Sequence, residues 1–233
     1  MIGIIGALEE EVAMFKHDME IKNTVNIAKC EYVSGILNGQ EVVITKCGMG
    51  KVNSATCAAI MIQRYSPEII INTGVGGSLD DNLNVLDIMI AKDVVQHDYN
   101  VVSLGYELGQ VDNFDTPFFI CDERVNNAIK KSADKFGYAA DFTRFATGDH
   151  FVDDPDDKKN IVKNFNAKVC DMESGAISQV CSLHGVRFAN IRTISDSSSG
   201  SDSAMEFHKF LKMASTHSVF VIEDILENAD TIL

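Results

Sequence analysis

Apolar and polar residues along this chain switch between two periods, and the switches mark its elements. Met1–Gly6 (MIGIIG) is apolar throughout, the pattern of a strand covered on both faces. Ala7–Glu11 turns into a helix that reaches about His17. Glu9, Glu10 and Glu11 fill its first turn, where negative charge suits the helix dipole. Ile27–Leu37 and Gln40–Cys47 flank Asn38-Gly39, the strongest hairpin signal in the chain. Gly48–Gly50 opens a helix over Val52–Tyr65 with an Ala/Ile/Met face. Glu68–Thr73 is a continuous apolar strand ending in Gly74-Val75-Gly76-Gly77. Asp87–Val95 is another, leading to His97-Asp98-Tyr99-Asn100.

Val101–Thr116 reads as an irregular loop of a length that usually serves function. A helix over Asp122–Phe136 and a strand over Ala139–Thr147 follow. The loop Gly148–Asp157 then holds Phe151 and Val152, with Pro155 at a helix start. In Cys170–Gly200 a short strand runs into Met172 and Glu173, and a helix of Ala, Ile, Val and Leu follows. A second buried strand, Arg187–Ile194, ends at Ser195-Asp196 before the Ser/Gly-rich loop Ser197–Ser201. A long amphipathic helix, Ser203–Glu227, closes the pattern. Strands alternating with helices, most of the strands apolar throughout, predict a three-layer α/β/α sandwich with a central mixed sheet. No repeat or linker divides the chain, so one domain over residues 1–233 is expected.

Composition narrows the function. With 45% hydrophobic and 23% charged residues the chain is an ordinary globular one, and no apolar run is long enough to span a bilayer. The formal charge of −14 argues against nucleic acid, which needs clustered Lys and Arg, and against an anionic membrane surface. The six cysteines sit singly in apolar segments, as reduced buried thiols do. The chain starts directly on an apolar strand with no basic leader, so a cytoplasmic location is expected.

Two glycine motifs mislead. Gly48-Met49-Gly50-Lys51 suggests a phosphate loop, but Val52 stands where Ser or Thr would hold magnesium. Gly74-Val75-Gly76-Gly77 follows a strand like a dinucleotide fingerprint but lacks the final Gly. Its glycines either turn the chain or let the backbone approach a ligand. The six His show no ligand spacing, and neither a metal nor a cofactor is implied.

Glu11, Glu173 and Asp196 each fall just past a predicted strand, at one rim of the sheet. Taken singly, each carboxylate is more often a helix cap. Three together, with no nucleophile–base pair, suit acid/base cleavage of a glycosidic bond. At these residues the chain resembles the 5′-methylthioadenosine/S-adenosylhomocysteine nucleosidases of the purine nucleoside phosphorylase superfamily. The resemblance runs from Met1 to about Val221. It rests on GIIGALEEEV (Gly3–Val12), CGMGKVNSA (Cys47–Ala55), INTGVGG (Ile71–Gly77), HDYNVVSLGYELGQ (His97–Gln110), TGDHFV (Thr147–Val152), CDMES (Cys170–Ser174) and RTISD (Arg192–Asp196).

The resemblance implies irreversible hydrolysis of the adenine–ribose bond of methylthioadenosine and adenosylhomocysteine, with 5′-deoxyadenosine a further substrate. It implies Asp196 as the acid at adenine N7 and Glu11 as the base that activates water. Glu173, with Met172, grips the ribose hydroxyls as an ionised carboxylate. Phe151 stacks on adenine, and the Val152 backbone reads its edge. Ser195 orients Asp196, and Arg192 steadies a carboxylate. Gly76 and Gly77 lie near ribose and base, Phe207 closes over the ligand, and Leu8, Met49 and Val75 complete the walls. Val101, Leu104 and Tyr106 match positions that reach across a homodimer interface into the partner's pocket. Leu8, Val75, Leu104 and Asp171 depart from the commonest residues of the family, Met, Ser, Phe and Glu. Two alternatives stand beside this reading: a purine nucleoside phosphorylase using phosphate, and a non-catalytic nucleoside-binding protein.

Overall fold

The computed structural model describes residues 1–196 and 203–229, so the Ser197–Ser201 loop lies outside the described residues. Ten strands and six α-helices occur among those described. Strand β1 (Ile2–Gly6) lies between β4 (Gln40–Lys46) and β5 (Ile69–Ser78), parallel to both. All five of its residues are buried, because helices cover both faces. Ile2 and Ile4 face a core shared with α1 (Glu9–Asp18), α3 (Glu123–Phe136) and α6 (Ser203–Glu227). Ile5 faces the opposite core, built with α2 (Lys51–Tyr65) and α5 (Ser174–His184). The sheet is mixed, with helices on both sides, as expected.

The sheet also curls onto itself. β5 pairs parallel with β10 (Arg187–Asp196), and β10 pairs antiparallel with β6 (Ile88–Gln96). β6 pairs parallel with β8 (Ala140–Thr147), and β8 with β9 (Val169–Asp171). β9 returns antiparallel to Gly77 and Ser78 at the end of β5. Five strands therefore close a ring, and β1, β4, β3 (Cys30–Leu37) and β2 (Glu20–Ile27) extend from it as an arm.

Glu173 and Asp196 do not come from strands running the same way, since β9 descends against β5 and β10. Glu173 follows the three-residue β9, and Asp196 is the last residue of β10. Gly74–Gly77 forms neither a turn nor a loop, because β5 continues through it to Ser78. Side chains there would collide with the neighbouring strand: a Cβ on Gly76 would lie 2.8 Å from Val169 Cγ1, and one on Gly77 2.9 Å from Cys170 Sγ.

Local signals hold elsewhere. Asn38 and Gly39 both take positive φ, 48° and 81°, between β3 and β4. Pro155 opens α4 (Pro155–Phe165) behind an Asp154 cap, and Asp122 caps α3. β2 and β7 (Phe118–Ile120, paired with β6) are additional strands. Residues 101–116 are irregular apart from one 3-10 turn, Val102–Leu104. All six cysteines are free and buried. No helix among the described residues is long and apolar enough to cross a membrane.

Candidate active site

Glu11 stands in the first turn of α1, five residues beyond the end of β1. Its carboxylate folds back over the helix start. Oε2 accepts N–H bonds from Ala7 at 2.6 Å and Leu8 at 2.9 Å, and Oε1 accepts from Val75 at 3.0 Å. The Leu8 bond is the backward half of a capping box. Gly74 makes the approach to β5 possible, since a Cβ there would lie 2.4 Å from Glu11 Oε1. A carboxylate offers about four acceptor positions, so one remains for a ligand or water. Burial raises the Glu11 pKa above the ordinary carboxylate value, against the pull of Arg192 and the three N–H donors.

Glu173 occupies the N-cap position of α5, yet its side chain does not cap the helix. Its neighbours do. Asp171 Oδ1 accepts from Ser174 N–H at 3.3 Å and Glu173 N–H at 3.4 Å, and Thr147 Oγ1 accepts from Gly175 N–H at 2.8 Å. The Glu173 carboxyl is thereby released to the cavity, where Oε1 accepts from Gly50 N–H at 3.0 Å. Arg192, fully buried, sets its guanidinium Nη2 2.9 Å from Asp171 Oδ2, 2.6 Å from Asn72 Oδ1 and 3.8 Å from Glu173 Oε2. Burial, with Asp171 and Glu11 nearby, pushes the Glu173 carboxyl up to about 8, Arg192 and Gly50 opposing. Burial thus opposes the ionised form that the resemblance implies for Glu173.

Asp196 ends β10 and is 2% exposed. Ser195 Oγ donates to its Oδ1 at 2.8 Å. The other carboxylate oxygen, Oδ2, would be 3.3 Å from a Cβ on Gly77, which only glycine leaves open. Between the three carboxyls lies a cavity of about 370 Å³, within the usual size for small-molecule sites. Phe151 and Phe207 line one side, edge to face with ring centres 6.0 Å apart.

The chain matches the family model of the Phosphorylase superfamily over residues 1–227. It is 36% identical over 228 residues to the 5′-methylthioadenosine/S-adenosylhomocysteine nucleosidase of Staphylococcus haemolyticus, covering 97% of this chain and 99% of that relative. The corresponding nucleosidase of Shewanella halifaxensis is 37% identical, with 97% and 98% covered. The chain belongs to the 5′-methylthioadenosine/S-adenosylhomocysteine nucleosidase family. The Neisseria meningitidis nucleosidase, solved in complex with methylthio-immucillin-A, superposes with a TM-score of 0.93 at 32% identity, covering 97% and 98% of the two chains. Futalosine hydrolase of Helicobacter pylori superposes at 0.91 with 25% identity, covering 97% of each.

The nucleosidase cavity gathers most of the residues singled out in the sequence. Glu11, Glu173 and Asp196 line it together with Ser195, Met172 and the Gly76-Gly77 backbone. Leu8, Met49 and Val75 form further wall, and Phe151, Val152 and Phe207 the aromatic side. Arg192 does not line it; the side chain lies behind the wall, locked to Asp171. Val101, Leu104 and Tyr106 are also absent from the lining and sit on the surface of the 101–116 loop, with Leu104 74% exposed. Cys170, His150 and His208 line the cavity without having been singled out, and so does Asp171, named in the sequence only as a departure from the family's commonest residue. Asp171 had a signal, a carboxylate two residues before Glu173, but its pairing with Arg192 depends on β9 and β10 both entering the ring. No Lys or Arg occurs among the described residues that line the cavity, whereas four carboxylic side chains do.

Proposed function

We infer that this chain hydrolyses the adenine–ribose bond of 5′-methylthioadenosine and S-adenosylhomocysteine, and of 5′-deoxyadenosine, releasing adenine and the ribose fragment. The carrying observation is the meeting of Glu11, Glu173 and Asp196 around one cavity that has an aromatic side and, among the described residues, no Lys or Arg in its lining. Cleavage of this bond needs a proton for the leaving base, a hydroxylic nucleophile, and relief of positive charge on the sugar.

Asp196 supplies the proton to adenine N7, held in orientation by Ser195. Glu11 is the base. Burial makes its carboxylate more basic, and its one remaining acceptor position takes a proton from water. Glu173 takes the ribose diol. Hydrogen bonds from the two neighbouring hydroxyls favour its ionised form, which accepts from both, against the burial that opposes it. The ionised carboxylate steadies the positive charge building on the ribose, more in the transition state than in the ground state. Phe151 stacks on the base, the Val152 backbone reads its edge, and Phe207 covers it.

Phosphate as nucleophile would need donors and cations to hold a dianion. Glu11 lines the cavity instead, where its charge would repel a dianion, and Arg192 is committed to Asp171. We assign one domain, a cytoplasmic location suited to six free thiols, and a homodimer. Leu104, Val102 and Val52, all at least half exposed, support the dimer as apolar surface in want of cover. Val101, Leu104 and Tyr106 of each copy would then complete the other's cavity.

The test is product analysis with methylthioadenosine, with and without inorganic phosphate. Free adenine and reducing thio-sugar at a rate indifferent to phosphate are expected. Sugar 1-phosphate formed only with phosphate would instead establish a phosphorylase, and no adenine under either condition a binding protein.

A further inference from the structure

The start of α2, which reads in sequence like a phosphate loop, is filled by two of the chain's own carboxyls. Gly50 N–H donates to Glu173 Oε1 at 3.0 Å, and Lys51 N–H donates to Asp149 Oδ1 at 2.7 Å. Gly50 is the N-cap and has no side chain to satisfy the helix's first donors. Asp149 supplies that cap from the distant loop after β8, and Gly50 leaves the room, since a Cβ there would lie 3.0 Å from Asp149 Oδ1.

Two further bonds close a circuit. Asp149 N–H donates to Asp98 Oδ2 at 2.9 Å, and Lys51 Nζ lies 2.6 Å from Asp98 Oδ1. Burial alone would raise the Asp98 carboxyl. Lys51, the Asp149 N–H and His97 pull it below its ordinary value instead, so it is ionised throughout the working range. Three segments, the loops after β6 and β8 and the start of α2, are therefore tied at one point. That point lies two residues before Phe151 and one residue after Gly50.

We propose that Asp149 is a positioning residue: its cap on α2 holds the Phe151–Val152 side of the cavity at a set distance from Glu173. The inference rests on the assignment of Phe151 to the base and Glu173 to the ribose. Asp149 touches neither Glu11 nor Asp196 in any bond described above, so the chemical step does not depend on it.

The experiment compares wild type, Asp149→Ala, Asp149→Asn and Asp98→Ala, measuring KM and kcat for methylthioadenosine, inhibition by adenine, and thermal unfolding. Asp149→Ala should raise KM and the adenine inhibition constant together by about tenfold, the scale of one lost cap, with kcat within about twofold. Asp149→Asn should recover most of the loss, because its amide oxygen still accepts the Lys51 N–H. Asp98→Ala keeps the cap and should shift KM the same way by less. A wild type that releases no adenine would overturn the functional reading and this inference with it. An active wild type whose Asp149→Ala variant loses only thermal stability, with KM unchanged, would overturn this inference alone. So would a loss of kcat at constant KM, or an Asn variant as impaired as Ala.

Discussion

Gly74→Ala places a methyl group against the proposed base. The new Cβ would sit 2.4 Å from Glu11 Oε1 and 2.7 Å from Cδ, where ordinary contact begins near 3.4 Å. The carboxylate must retreat by roughly 1 Å, and the 3.0 Å bond from Val75 N–H is the one broken. Misplacement of a catalytic group on that scale costs about 10²-fold in rate, or about 2.7 kcal/mol of barrier. Losing one charge-assisted bond costs about 1.5–3 kcal/mol of stability, which for a chain of this size lowers Tm by about 3–12 °C. Adenine release should be followed at 25 °C, where the variant remains folded. Gly3→Ala is the control: its Cβ would meet Met61 Sδ at 2.5 Å in the core, so it should lower Tm comparably and leave kcat intact. A folded Gly74→Ala enzyme with kcat within threefold of wild type would refute the reasoning that the Glu11 carboxylate must hold this position.

Asp196→Asn and Glu11→Gln should each lower kcat by about 10²–10⁴ while substrate binding, followed by calorimetry, persists. Glu173→Gln should flatten the pH dependence of stability. The native Glu173 pKa lies above its unfolded value, so its contribution is present in full below about pH 4.5 and is lost as pH rises through about 8. Wild-type Tm should therefore fall more steeply than the variant's between pH 5 and 8.5, and parallel curves would count against a raised Glu173 pKa. In the proposed homodimer, Leu104→Asp should yield monomers by sedimentation and a raised KM, because a charge cannot be buried at that interface without a partner.

Features that depend on neighbouring residues were legible in the sequence. The Asn38-Gly39 hairpin, the Pro155 helix start and the apolar strands β1, β5 and β10 follow from adjacent side chains and their spacing. β2 was not legible, because EIKNTVNI is exposed at most positions and is a strand only through its pairing with β3. The site divides the same way. Glu11, Glu173 and Asp196 announced themselves by position after strands and by motif. The reason Glu173 faces the cavity did not, because Asp171 and Thr147 take over its capping duty only once β8 and β9 pair. Nor did the Asp171–Arg192 bond, which needs two strands that never pair with each other.

The closed ring has a consequence for how the molecule forms. Its last strand, β10, must insert between β5 and β6, joining Ile69 to Arg187 and Ile90 to Ile191. Pairings so distant in sequence are slow to form. During synthesis β5 and β6 emerge well before β10 exists, leaving the apolar edge of Ile69–Ile71 unpaired and prone to association. Asp196 is the final residue of β10. With Asp196 as the proposed acid, turnover cannot begin before the ring shuts, and the recovery of activity in a refolding experiment times that closure.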